Sequence, residues 1–486
     1  MPLEINTDGG KMKARDDRKR NRILYIIEAA LEYFVSIAVS GAYLACLTTA
    51  IGMSDALTGV LTSFVSLGCG FQILAVLFRG NVRRNVTILH LINETAFTLL
   101  YVTPFFPVST TAKTVIFTVL MLVGFALNNV ANPSKTDWFM QSVDKDKRGV
   151  FTATKEIVSL ISGMLFSLLL GYVIDGFKAA GNETGAFVLC GAFLGVITAA
   201  HTLTIIFSKP VSAPVTAETA KAEGEVNADS AVANADIAPA TDDSGAANEI
   251  SAAACEVPNK NLSDINSGNS DKKEKASGRG AFRRALGDKN LVKVVITIVL
   301  WRMVQYSTVP FYGTYQIKEL GFSMVFVSAL AIVYALVRAV FERPIGRLAD
   351  KKGFAASLNV CYLAELAALA VAVFMRPENG AITYSVYYVL FAICSAGISS
   401  GELNLIYDYV GENERVAALA IKATAGGLAG FLTTLALSPL VALIQARGLT
   451  IFGVTVYAQQ VTSLIGLVFC VILIVYNTVV VKKIKR

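Results

Sequence analysis

Apolar residues run along this chain in blocks too long for the strands or amphipathic helices of a water-soluble core. They cover approximately 23–51, 54–78, 85–106, 112–133, 153–175 and 184–207, and resume at 291–316, 323–345, 355–375, 381–406, 414–445 and 452–481. At about 1.5 Å of rise per residue, each block crosses roughly 30 Å of hydrocarbon as a helix. In that solvent only helices and closed barrels satisfy their own backbone, and blocks of this length exclude barrel strands. The pattern predicts an all-α membrane protein of twelve transmembrane helices, six in residues 23–208 and six in 291–482. The interval 209–290 is rich in Ala, Asp, Glu, Asn, Ser and Thr. It has too little apolar surface to offset its chain entropy and is expected to be a disordered tether. Its basic end holds Ala281–Leu286, a short stretch suited to lie as a helix on an anionic membrane surface.

Composition sharpens this reading. Hydrophobic residues make up 54% of the 486 and charged ones 16%, against about 25% charged in a typical soluble domain. No room remains for a large soluble catalytic domain, so an enzyme is not expected. Two histidines, His90 and His201, stand too far apart in the chain to announce a metal or catalytic cluster. None of the seven cysteines has C-x-x-C spacing. No metal or cofactor is therefore expected.

The net charge of +7 is distributed around the apolar blocks and forms no single basic face, so nucleic acid is not an expected partner. Lys11, Lys13, Arg15, Arg18, Lys19, Arg20 and Arg22 fill a basic tail, residues 1–22, in which no cleavable signal peptide is read. Arg79, Arg83 and Arg84 follow the second block, Lys145, Lys147 and Arg148 the fourth, and Arg347, Lys351 and Lys352 the eighth; residues 483–486 are basic again. The alternate loops hold about one cation each, such as Lys113 and Lys318. By the positive-inside rule, both termini and the 209–290 linker are expected in the cytoplasm of a multi-pass plasma-membrane protein.

The two halves also echo each other. Ile51-Gly52-Met53-Ser54 matches Leu320-Gly321-Phe322-Ser323 at an offset of 269, and Arg148 and Lys155 match Arg415 and Lys422 at an offset of 267. Common offsets point to parallel structural repeats, the arrangement of two pseudo-symmetric six-helix bundles.

Gly346-Arg347-Leu348-Ala349-Asp350-Lys351-Lys352-Gly353 resembles the G-x-L-A-D-R/K-x-G loop of the major facilitator superfamily, and the resemblance covers the chain outside the linker. The family usually shows this motif best in the first half, where the corresponding loop here, Arg79-Gly80-Asn81-Val82-Arg83-Arg84, lacks the acid. The resemblance implies a central cavity lined by the first, fourth, seventh and tenth helices, and alternating access. It also implies a cytoplasmic gate of Gly346, Asp350, Lys351 and Gly353, with Arg148 as a partner across the halves. Lys135 maps by the repeat onto Glu402, and these two are read as a further lock between the halves near the inner surface.

Ionisable residues at mid-membrane cost at least about 2.5–3.5 kcal/mol on insertion scales, so they mark candidate sites. In the seventh block Trp301, Arg302, Gln305 and Tyr306 stand together, the last three on one helical face. A guanidinium there suits an anion or a partner carboxylate, and the aromatics suit a ring or sugar face. Glu32 lies at similar depth in the first block, and a Glu32–Arg302 pair across the cavity is expected. Glu32 is the first candidate for a coupling proton; Glu28 is the second, with snorkelling toward the cytoplasm as its simpler reading. Asn128 and Asn129 are candidates for the cavity or for bridging helices.

No phosphate-binding G-x-x-x-x-G-K-[ST] loop occurs. The chain therefore reads as a monomeric secondary active transporter, in contact with membrane lipid and coupled to H+, moving an organic anion or a sugar-like polar solute. An exporter of lipophilic compounds and a transport-inactive receptor or scaffold are the alternatives.

Overall fold

The computed structural model describes residues 7–72, 74, 81–143, 148–209, 284–285, 287–410, 415–451 and 453–484. The linker expected over 209–290, with its short basic helix, lies almost wholly outside these residues, as do Arg79, Gly80, Lys145 and Lys147.

The first half is built of α1 (Thr7–Ala38), α2 (Gly41–Ile51), α3 (Asp55–Thr62), α4 (Phe64–Phe71), α5 (Val82–Leu100), α6 (Thr110–Met140), α7 (Arg148–Ala179) and α8 (Glu183–Phe207). The second half is built of α9 (Lys289–Lys318), α10 (Met324–Lys352), α11 (Phe354–Val373), α12 (Gly380–Tyr409), α13 (Arg415–Arg447) and α14 (Ala458–Tyr476). A two-residue hairpin pair, β1 (Thr450–Ile451) and β2 (Val454–Thr455), joins α13 to α14.

Nine helices among the described residues are long and apolar enough to cross a membrane, and a tenth span results when α1 and α2 count as one helix bent by 45°. The other two expected spans differ. The α3–α4 stretch is short within the described residues, and α5 carries Arg83, Arg84, His90, Asn93 and Glu94 along its 19 residues. The basic tail is helical from Thr7, where α1 begins.

Outward faces are apolar: Tyr172, Ile382, Phe374 and Val196 are 70% or more exposed. Water does not tolerate such a belt on a monomer, whereas lipid requires it.

The expected repeat appears in backbone detail. Gly52 and Gly321 each take a left-handed conformation, at φ 84° and 65°. Ser54 and Ser323 then cap the next helix, each hydroxyl accepting from the amide three residues on, Leu57 and Phe326. A positive φ favours glycine and a serine oxygen satisfies an orphan amide, so both turns follow from the same two residues.

The halves meet along a seam made by α2, α3, α4 and α7 on one side and α9, α10 and α13 on the other. Close approach is possible because Gly313 has no side chain: a Cβ there would stand 2.6 Å from the Gly41 carbonyl oxygen. Neutral hydrogen bonds line the seam. Tyr43 donates to the Ser167 carbonyl at 2.7 Å and meets the Ser328 hydroxyl at 2.8 Å. Ser66 donates to the Gly427 carbonyl at 2.9 Å, and Ser438 to that of Ala56 at 3.0 Å. Toward the Gly52 and Gly321 turns charges join in. Asp175 accepts from the Met324 and Val325 amides at the start of α10, at 2.9 and 2.8 Å, where a helix N-terminus favours an anion. Asp55 is paired with Lys318 and accepts from Gln445 at 2.6 Å.

Candidate transport site

Glu28 and Glu32 project from one face of α1, a turn apart. Lys135 of α6 reaches both, with its Nζ 2.8 Å from Glu28 Oε1 and 2.7 Å from Glu32 Oε2. Lys135 and Glu28 are fully buried, while the Glu32 side chain keeps 29% of its surface open. Burying an ion costs several kcal/mol, so this lysine is held in place by its two carboxylates. Glu28 therefore does not snorkel toward water; it is the inner end of a network.

That network continues into the helices behind. Glu28 Oε1 lies 3.3 Å from His201 Nε2 on α8, and His201 Nδ1 lies 3.3 Å from Glu94 Oε1 on α5. The His90 ring meets the His201 ring edge-on, with centroids 4.0 Å apart. The expectation that the two histidines are too distant to cluster is thus overturned: α5 and α8 pack side by side and bring them into contact. With it falls the grounds for expecting no metal site, because His90, Glu94 and His201 present donor atoms within 4.8 Å of one another. Asn128 accepts from Asn93 at 3.2 Å, and Asn129 donates to the Phe125 carbonyl at 2.9 Å. The Asn128 bond bridges α5 to α6, whereas that of Asn129 stays within α6.

The second half holds a network of opposite sign. Arg302 of α9 donates to Gln305 at 2.8 Å and lies 3.8 Å from Glu402 of α12, and Lys422 of α13 lies 3.2 Å from the same carboxylate oxygen. The expected Glu32–Arg302 pair does not form, since each partner is engaged within its own half. The lock expected between Lys135 and Glu402 fails for the same reason. The two do occupy repeat-equivalent positions, but as the centres of separate networks: one cation among carboxylates in the first half, one carboxylate between cations in the second.

Trp301, Arg302, Gln305 and Tyr306 are all at most 3% exposed. Trp301 packs in the second-half core beside Tyr362, at 5.8 Å between rings. Tyr306 belongs to the seam, against Gly430 and Ser66. None of these four lines the tyrosine-rich cleft between the halves.

The gate motif is helical where a loop was expected. Gly346, Asp350 and Lys351 lie within α10, Asp350 and Lys351 exposed on its last turn, and Gly353 at φ 84° makes the turn into α11. Arg148 begins α7, and its side chain lies outside the described ones.

Between the halves, just inside the seam, is a cleft of two small adjoining lobes, about 50 Å³ each. Tyr33 and Tyr43 line one lobe, Tyr312, Tyr384 and Tyr387 the other, and Tyr388 both. Ser40, Ser167, Ser328, Thr62 and Gln316 add hydroxyls and an amide. Gln316 donates to the Tyr384 hydroxyl, Tyr312 shares a hydrogen bond with Ser463 at 2.8 Å, and the Tyr312 and Tyr387 rings meet edge-on at 5.1 Å. Sequence reasoning passed over these tyrosines. The signal was present in Tyr384, Tyr387 and Tyr388, which share a face at three- and four-residue spacing.

Residues 26–434 match the family-wide sequence profile described as Major Facilitator Superfamily. The chain belongs to this superfamily. No curated protein matches it in sequence. Among solved structures, a mutant of the nucleoside transporter NupG is similar with a TM-score of 0.62 and 11% identity, over 94% of this chain and 99% of that one. The D-xylose-proton symporter gives 0.62 and 10%, over 93% and 96%. A bacterial homologue of the iron transporter ferroportin, in an inward-facing state, gives 0.62 and 10%, over 95% and 98%. Membership in the superfamily makes this chain a multi-pass membrane transporter, and at such identities the structural likenesses establish the fold alone.

Proposed function

We propose that this chain is a secondary active transporter that carries a neutral, ring-bearing polar solute, of sugar or nucleoside type, by alternating access. The tyrosine-lined cleft between the halves carries this reading. Aromatic faces stack on sugar and base rings, and the surrounding hydroxyls and the Gln316 amide supply neutral hydrogen bonds. None of the described lining residues is charged. An organic anion would need a cation, and Arg302 is spent on Glu402 and Gln305. The anion half of the expectation is therefore set aside in favour of the sugar-like half.

With the termini in the cytoplasm, as the cationic loops indicate, the seam lies on the outer side and the cleft opens inward. Coupling to H+ runs through Glu32, the carboxylate of the first-half network that keeps contact with solvent. A proton there releases Lys135 to Glu28 alone and alters the face that α1 presents to the cavity.

The test is ligand-induced stabilisation of the purified protein by hexoses and pentoses, nucleosides, and monocarboxylates. A true substrate at 100 times its Kd stabilises by ~2.7 kcal/mol. Neutral ring solutes are expected to stabilise wild type and to lose the effect in Tyr388→Ala and Gln316→Ala. Stabilisation by carboxylates alone, indifferent to both substitutions, would sink the reading.

A further inference from the structure

We propose that His90, Glu94 and His201 form a binding site for a divalent transition-metal ion, separate from the solute cleft, that clamps α5 to α8. His90 and Glu94 stand one turn apart on the same face of α5, and His201 faces them from α8. Their donor atoms lie within 4.8 Å of one another. The 3.3 Å between His201 Nδ1 and Glu94 Oε1 matches the edge of a tetrahedron with bonds of roughly 2.0–2.1 Å, which is about 3.3–3.4 Å.

Two independent observations point to a missing ligand. His90 Nε2 is buried and finds no hydrogen-bond partner, although buried polar atoms are nearly always satisfied. The groups behind the donors are also those a metal site uses. His201 turns its other nitrogen, Nε2, to the Glu28 carboxylate at 3.3 Å. Metal-bound imidazoles almost always do this, and it fixes which nitrogen faces the ion. Thr198 donates to Glu94 Oε2 at 3.4 Å, which leaves Oε1 toward the histidines.

Two imidazoles and one carboxylate form a borderline donor set, suited to Zn2+, Co2+ or Fe2+ and poorly suited to Mg2+ or Ca2+, which take six or more oxygens. A fourth position is left for water. None of the three residues lines the cleft, so the ion is a fixture of the first half and not the cargo.

The experiment is titration of tag-free, chelator-treated, full-length protein with Co2+, read by its visible ligand-field spectrum and by metal content after desalting. One Co2+ per chain is expected, displaced by Zn2+, without the thiolate charge-transfer band that cysteine ligation would give. His90→Gln, which roughly keeps the side-chain volume, and Glu94→Gln should abolish the spectrum. Glu28→Gln should weaken binding by about 10–100-fold as an outer partner. Tyr388→Ala should leave binding intact, and its solute response separates failure of this site from failure of the transport reading. Absence of stoichiometric Co2+ in wild type overturns the proposal, as does equal binding in His90→Gln and Glu94→Gln folded to the wild-type melting temperature.

Discussion

Replacing Glu319 by glutamine should remove a pH dependence from the seam between the halves. Glu319 follows the last residue of α9, beside the Asp55–Lys318 pair and Gln445. Partial burial, and then the Asp55 charge, raise its carboxyl from the ordinary 4.5 to about 7, with Lys318 pulling the other way. In the opened seam, where water reaches all these groups, the value falls back toward 4.5. Below pH 4.5 the carboxyl is neutral in both states and costs nothing. Between 4.5 and 7 opening releases a proton, so the closed seam loses stability as pH rises; above 7 the cost is complete. At ~1.36 kcal/mol per unit the ceiling is about 3 kcal/mol, and roughly half survives once the side chain's remaining contact with water is allowed for. That is about a tenfold change in the open fraction. The assay is labelling of Ala56→Cys, buried 5% exposed beneath α9 and α13, by a membrane-impermeant maleimide in a background stripped of other cysteines. Rates are divided by those of a fully exposed cysteine to cancel thiol ionisation. The ratio should climb about tenfold from pH 5 to 8 in wild type and stay flat in Glu319→Gln. A climb that persists in Glu319→Gln would refute the assignment.

Two further outcomes follow from the geometry. Lys135→Met leaves the Glu28 carboxylate buried against His201 without its lysine and should lower stability by about 3–5 kcal/mol, seen as a fall in melting temperature; adding Glu28→Gln should recover most of it, and no recovery would mean that the loss is one of packing. Gly313→Ala puts a methyl 2.6 Å from the Gly41 carbonyl oxygen and should favour the opened seam by about 1–3 kcal/mol, raising Ala56→Cys labelling at every pH. Unchanged labelling would show that the backbone yields instead.

Long-range patterning made much of the fold readable. Twenty apolar residues between cationic loops have few alternatives to a spanning helix, and Gly52-Met53-Ser54 and Gly321-Phe322-Ser323 announced their common turn because one residue supplies the φ and another the cap. Reading which charges pair was beyond such patterns. Glu32 and Arg302 looked complementary on depth and repeat position, yet depth fixes only one coordinate, and Lys135 and Glu402 stood nearer in the other two. His90 and His201 were dismissed on separation along the chain, a quantity that carries no information once α5 packs on α8. The tyrosines of the cleft were hidden by being apolar enough to pass as ordinary helix filling.

The confinement of the buried Lys135–Glu28 and Lys422–Glu402 pairs to their own halves bears on how fast the protein can cycle. A salt bridge across a moving interface must be desolvated and rehydrated at every turnover, which raises the barrier between states. In this chain the most deeply buried ion pairs lie within each bundle and make it stiff, while hydroxyl–carbonyl contacts, bare glycine backbone and the partly exposed Asp55–Lys318 pair join the bundles where they part. Such a molecule resembles two rigid jaws on a lightly sprung catch. The binding of one modest solute, or the loss of one proton at the rim, is then of the same size as the energy that decides which way the jaws face.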